Sequence, residues 1–131
     1  MILANSPPNK TLQIQELSVI SSVSVKFLEQ ILLVLKKGGI LRSKRGVGGG
    51  YQLDRPARSV TLGEIITLMD GDLCSLSSAT DAAGTPEYPG SAGLKTCFRE
   101  IDEHVNEALR NRTVEEVLSM DRPKDILAFE I

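Results

Sequence analysis

Residues 12–53 read LQIQELSVISSVSVKFLEQILLVLKKGGILRSKRGVGGGYQL. A short apolar-periodic stretch around Ile14 to Val19 predicts a helix, and Ser21-Ser22-Val23 predicts a turn. A longer helix follows from Ser24 to Lys37. Ser24 is its natural N-cap, and Gly38-Gly39 supplies the left-handed residue that stops it. Val25, Leu28, Ile31, Leu32 and Leu35 share one face of this helix, with Lys26, Glu29 and Gln30 opposite. Phe27, Leu33 and Val34 widen the apolar surface, so much of the C-terminal half is expected to be buried. A strand at Ile40–Ser43, a basic glycine-rich tip from Lys44 to Gly50 and a return strand at Tyr51–Leu53 complete a hairpin. This order is that of a winged helix-turn-helix, which offers one helix to a major groove and a positive loop to the backbone beside it.

The charge distribution agrees with that reading. The chain has 131 residues and a net charge of −2, which says nothing by itself. Between residues 36 and 58, however, seven bases (Lys36, Lys37, Arg42, Lys44, Arg45, Arg55 and Arg58) face Asp54 alone. Residues 59–131 carry six basic and fourteen acidic side chains. A protein that meets phosphate with one face has this asymmetry, although a merely solvated basic hairpin has it too.

Further along, Thr61-Leu62-Gly63-Glu64 is a capping box that opens a helix with Leu62, Ile65, Ile66 and Met69 inside, closed by Asp70-Gly71. Residues 72–93 are rich in small and polar residues without a period, and read as a flexible loop. From Leu94 to Asn111 the helical period returns in Leu94, Phe98, Ile101, Val105 and Leu109. A long helix with one apolar stripe must bury it, and a second subunit is an attractive cover. Thr113-Val114-Glu115-Glu116 is another capping box, and the apolar end, Ile126 to Ile131, is expected to dock. The fold class is therefore mainly α with a small β-hairpin wing: a winged helix-turn-helix over residues 1–71, a loop over 72–93, and a dimerisation helix with C-terminal tail over 94–131.

Catalysis finds little support. The single histidine, His104, sits seven residues from Cys97 on one predicted helix, about 10 Å along its axis, too far for a thiolate–imidazole pair. Gly46-Val47-Gly48-Gly49-Gly50-Tyr51 lacks the last glycine of a dinucleotide fingerprint and leads into a strand, where a phosphate cradle needs a helix. No enzyme is expected. For a metal, Cys97, Glu100 and His104 fall at i, i+3 and i+7, and Cys74 is able to join from the loop. The plainer alternative makes Cys97 a small apolar residue and His104 a solvated neighbour of Glu100. Two cysteines form no disulfide framework, which fits a reducing cytoplasm. The longest purely aliphatic run, Ile31–Leu35, is far too short to span a bilayer, so no membrane partner is expected.

Three segments carry a resemblance: Val23-Ser-Val-Lys-Phe-Leu-Glu-Gln30, Leu35-Lys-Lys-Gly-Gly-Ile-Leu-Arg-Ser43 and Arg45-Gly-Val-Gly-Gly-Gly-Tyr-Gln-Leu53. They strongly resemble the Rrf-two (Rrf2) family of bacterial transcription regulators, the family of the iron–sulfur cluster regulator and the cysteine-metabolism repressor. Val60-Thr61-Leu62-Gly63-Glu64-Ile65-Ile66 and Asp70-Gly71 also fit. The resemblance implies a cytoplasmic homodimer that binds duplex DNA in a sequence-specific way. Ser24, Lys26, Glu29 and Gln30 would serve the recognition helix, and Arg42, Lys44, Arg45, Gly48, Gly49 and Tyr51 the wing. Leu94, Phe98, Ile101, Val105 and Leu109 would line the dimer interface.

Three departures qualify the resemblance. The family's first helix would be truncated here, because the chain starts near that helix's last residues. Ser22 stands where the family usually has glycine, so the turn is strained if its φ is positive. Cluster-binding members carry three closely spaced cysteines, where this chain offers only Cys74 and Cys97, with His104 as a further candidate. No cofactor is therefore expected. The rival readings are a degenerate dimer acting through protein contacts and an iron–sulfur or redox-sensing version of the same regulator. The effector is left open.

Overall fold

The computed structural model describes residues 1–121 and divides into two compact units. The first comprises Met1–Val60 together with the segment from Thr113 onward, and the second comprises Thr61–Arg112. The helix that follows Thr113 thus belongs with the first unit, whereas the sequence grouped it with the long helix. The expected docking of Ile126–Ile131 lies outside the described residues.

In the first unit, α1 (Ile14–Ser21) and α2 (Val25–Lys37) meet at a bend of 111°, within the usual range for a helix-turn-helix. Glu16 accepts from the Gln13 backbone N–H at 2.8 Å and so fastens the start of α1. The turn is held by serines: the Ser18 hydroxyl donates to the Val23 carbonyl and the Ser21 hydroxyl to the Leu17 carbonyl, each at 2.6 Å. Ser22 adopts the left-handed region, with φ 57° and ψ 27°. A Cβ is unfavourable there, so the turn carries the strain that serine in place of glycine implies.

The Ser24 hydroxyl accepts from the Phe27 N–H at 3.3 Å, as the N-cap assignment requires. Leu28 and Leu32 are buried, and Val25, Ile31 and Leu35 are partly covered, so the expected inner face of α2 is the observed one. In the C-terminal half Leu33 differs from expectation at 50% exposure, while Val34 is partly covered; Phe27, in the first turn, is 56% exposed. The end of α2 is a Schellman closure, with Gly39 at φ 77°, the Gly39 N–H donating to Lys36 O and the Ile40 N–H to Leu35 O. That closure uses Ile40 and buries its side chain, so the strand begins one residue later than the pattern suggested.

β1 (Leu41–Lys44) and β2 (Gly50–Leu53) form an antiparallel pair with Leu41 opposite Leu53 and Arg42 opposite Gln52. A short 3-10 turn at Ala57–Ser59 leads to Val60, the most deeply buried side chain of the unit. Helix α6 (Val114–Met120) lies against that turn, and the Val114 N–H donates to Val60 O at 2.8 Å.

In the second unit, α3 (Leu62–Asp70) is capped by Thr61, whose hydroxyl accepts from the Glu64 N–H at 3.1 Å. It packs on α5 (Ser91–Asn111) at Gly63, where an added Cβ would lie 3.2 Å from the Arg110 backbone nitrogen. Two expectations for 72–93 change. The segment contains a one-turn helix, α4 (Ser78–Asp81), and the long helix starts at Ser91 rather than Leu94. Gly90, at φ 96°, and the buried Ser91 make that start, a signal the apolar period misses.

Among the described residues, no single helix is long and apolar enough to cross a membrane.

Candidate nucleic-acid interface

Lys26, Glu29 and Gln30 stand on one exposed stripe of α2, opposite the buried Leu28 and Leu32. Their spacing of three and four residues places them side by side over the first two turns. Phe27, beside them, is an exposed aromatic. Its exposure follows from its position on the shoulder of the stripe, which periodicity alone places ambiguously. Ser24 sits at the head of the same helix, and its oxygen already serves the cap. Lys36 and Lys37 close α2, where positive charge complements the helix dipole.

The wing contacts α2 through β1. Arg42, Lys44 and Arg45 are all exposed. With its amide oxygen turned toward β1, Gln52 accepts from Arg42 Nε at 2.7 Å and Nη2 at 3.1 Å, which props the guanidinium across the hairpin base. Tyr51 is half-buried, and its backbone makes a two-way bridge to Leu12 (Tyr51 N–H to Leu12 O, 2.8 Å; Leu12 N–H to Tyr51 O, 3.0 Å). Tyr51 is therefore a fastening point of the wing.

The glycines of the tip do different things. Gly48 is exposed at φ 76°, with open space where a Cβ would stand. Gly49 is buried, and a Cβ there would run into the backbone oxygens of Lys44 and Gly46. At Gly50 it would lie 2.5 Å from Leu12 O. Gly49 and Gly50 are thus demanded by packing inside the wing, whereas Gly46, at φ 94°, and Gly48 leave open space outside for an approaching backbone.

On α5, the stripe Leu94, Phe98, Ile101, Val105 and Leu109 falls on one face. Leu94, Ile101 and Val105 are 38–40% exposed, and Phe98 and Leu109 are half-buried. The buried residues of this helix are polar: Ser91 and Asp102. Asp102 accepts from the Leu76 N–H at 2.6 Å and the Ser77 N–H at 2.8 Å, and the Cys74 thiol lies 3.4 Å from its Oδ1. Hydrogen bonds from the Ser77 hydroxyl and backbone, then from Leu76, hold its carboxyl down to about 2. Desolvation, then the bond to Asp102 and its negative charge, push the Cys74 thiol up. Asn106 donates to Cys74 O at 2.9 Å, and Arg99 pairs with Asp81 at 2.9 Å. The 74–81 segment is therefore fastened to α5.

The iron–sulfur possibility can be tested against these positions. Cys74 is engaged with Asp102, Cys97 is exposed, and His104 Nδ1 is turned to Glu100 O of its own helix at 2.7 Å. No group of three or more His, Cys, Asp or Glu side chains is arranged to hold a metal ion among the described residues. A cluster commonly needs four protein ligands, and the donors present do not fit that demand.

The architecture is that of a winged helix-turn-helix, followed by a long helix. The family model described as "Rrf2: iron-dependent transcriptional regulator" matches residues 1–120, and the chain belongs to that family. It is similar to the HTH-type transcriptional regulator IscR of Cereibacter sphaeroides, 31% identical over 84 residues, or 64% of this chain. The alignment spans only 54% of that relative's length. Among solved structures it is similar to CymR, the global cysteine regulator of B. subtilis, with a TM-score of 0.75 and 25% identity over 91% of this chain and 86% of that one. T. potens IscR follows, with a TM-score of 0.70 and 25% identity over 90% of this chain and 76% of that one.

Proposed function

We propose that this chain is a sequence-specific DNA-binding transcription regulator that acts as a homodimer in the cytoplasm, with no catalytic activity of its own. The observation that carries this is the exposed Lys26/Glu29/Gln30 stripe on a helix whose other face is buried, next to a cationic wing. Each group has a chemical counterpart on a base edge. A glutamine amide pairs with adenine N6 and N7, a glutamate carboxylate accepts from cytosine N4, and lysine donates to guanine O6 and N7. Phe27 supplies an apolar surface for a thymine methyl. Ser24 donates its hydroxyl proton to a phosphate, while Arg42 and Lys44 neutralise others. Arg45, projecting from the tip, reads the adjacent minor groove by shape and charge.

The α5 stripe is the symmetric interface, with Phe98 and Ile101 as anchors. A twofold dimer then calls for an inverted-repeat site. Selecting bound sequences from random duplex DNA tests the reading: an inverted repeat with half-sites one helical turn or a multiple apart supports it. Recovery of no common motif contradicts it.

A further inference from the structure

A hairpin tip with glycine at positions 46, 48, 49 and 50 should be costly to order, because glycine loses more conformational freedom than any other residue. Within the tip, one backbone bond, from the Gly49 N–H to Gly46 O at 3.0 Å, closes the turn. A second tie comes from far away in sequence. The Thr11 hydroxyl donates to Gly48 O at 2.6 Å, with Gly49 O 3.3 Å distant. Next to it, Leu12 makes its two-way backbone bridge to Tyr51, an isolated antiparallel bridge beside β2. Gly50 is crowded against Leu12 and admits no Cβ, which keeps the two segments in close register. One residue later, Gln13 is the N-cap of α1 of the helix-turn-helix.

From this geometry we infer that Thr11 is the positioning residue of the wing: its hydroxyl locks the tip to the segment that enters α1, so that Arg45 is presented at a set angle beside α2. Thr11 touches no DNA in this account. It acts through Arg45 by reducing the order that binding would otherwise have to impose on the glycine loop. The inference rests on the DNA-binding reading for its consequence, but the clamp itself is a property of the free protein.

The test uses the full chain with Thr11→Val, which keeps the branched shape and removes the donor, and Thr11→Ser, which keeps the donor. In the free protein, hydrogen exchange of the Gly49 amide should quicken about 3- to 10-fold in Thr11→Val, the range expected for losing one net hydrogen bond, and stay near the parent value in Thr11→Ser. The Tyr51 amide, held by Leu12, serves as the internal reference and should not change. On a selected duplex, Thr11→Val should weaken binding about 3- to 10-fold in the parent and have almost no effect when Arg45 is already alanine. A merely structural role would produce the same loss in both backgrounds. Unchanged Gly49 exchange in Thr11→Val, or an affinity loss independent of Arg45, overturns the inference. If the parent chain binds no duplex at all, it is the DNA-binding reading that fails, and the exchange measurement alone then decides the clamp.

Discussion

Helices α2 and α5 look alike as sequence, each an apolar stripe opposed by charge, yet the structure uses them in opposite ways. Helix α2 turns Leu28 and Leu32 into the core of its own unit and leaves Lys26, Glu29 and Gln30 in solvent. Helix α5 buries Ser91 and Asp102, and leaves Leu94, Ile101 and Val105 substantially exposed. The difference teaches that an amphipathic period announces a face to be covered without saying by what. For α2 the cover is intramolecular and the polar side is free for a ligand. For α5 the inward contacts are the packing of α3 at Gly63 and the hydrogen bonds to the 74–77 segment, and the exposed apolar stripe is what a second subunit would take.

The largest effects should separate these two uses. Leu32→Ala in α2 should cost the protomer about 2–5 kcal/mol, as truncation of a buried leucine does, lowering the thermal midpoint at any protein concentration. Ile101→Asp in α5 should leave the protomer folded but shift dimer dissociation by at least about 100-fold, because it places an unpaired charge in the interface. Sedimentation velocity across a concentration series distinguishes the two. A monomeric parent at micromolar concentration would remove the role assigned to α5.

The polar side of α5 has its own signature. Asp102 titrates at about 2 in the folded chain, below the ordinary carboxylate value of 3.8. A depressed carboxylate stabilises the folded form above its unfolded pKa, so the contact to the 74–77 segment is intact above about pH 4 and is lost as pH falls toward 2. Asp102→Asn should abolish that pH dependence, read from hydrogen exchange of the Leu76 and Ser77 amides. Equal acid sensitivity in the variant would place the titrating group elsewhere.

A smaller effect belongs to the turn. Ser22→Gly should stabilise the chain by about 0.5–1 kcal/mol, because glycine accepts the left-handed conformation without the Cβ penalty. Chemical denaturation measures it, and an unchanged midpoint would show that the hydrogen bonds of Ser18 and Ser21 already absorb the strain. Smallest of all, Cys74→Ser and Cys97→Ser should scarcely alter DNA affinity, and protein purified without oxygen should contain no stoichiometric iron and sulfide. Iron and sulfide that disappear in either variant would make the chain a cluster-based sensor.

Much of the helix-turn-helix and its hairpin was legible because their signals are local. The Ser24 cap, the double glycine after Lys37 and the Arg45-to-Tyr51 run each act within a few residues, and the structure places helix, stop and hairpin accordingly. What escaped depends on partners distant in sequence. The glycine tip looks flexible until Thr11, 37 residues upstream of Gly48, is seen to hold it. The 72–93 stretch looks structureless until Asp102 and Asn106 are seen to fasten its beginning to α5.

The central claim is that α2 reads bases, and the most direct measurement is to select binding motifs from random duplex DNA with the parent chain, Glu29→Ala and Gln30→Ala in parallel. The account predicts that each substitution relaxes preference at its own half-site position, with about 1–3 kcal/mol of discrimination lost there and the flanking positions retained. Three identical motifs would contradict it, and would show that the exposed stripe of α2 faces something other than base edges.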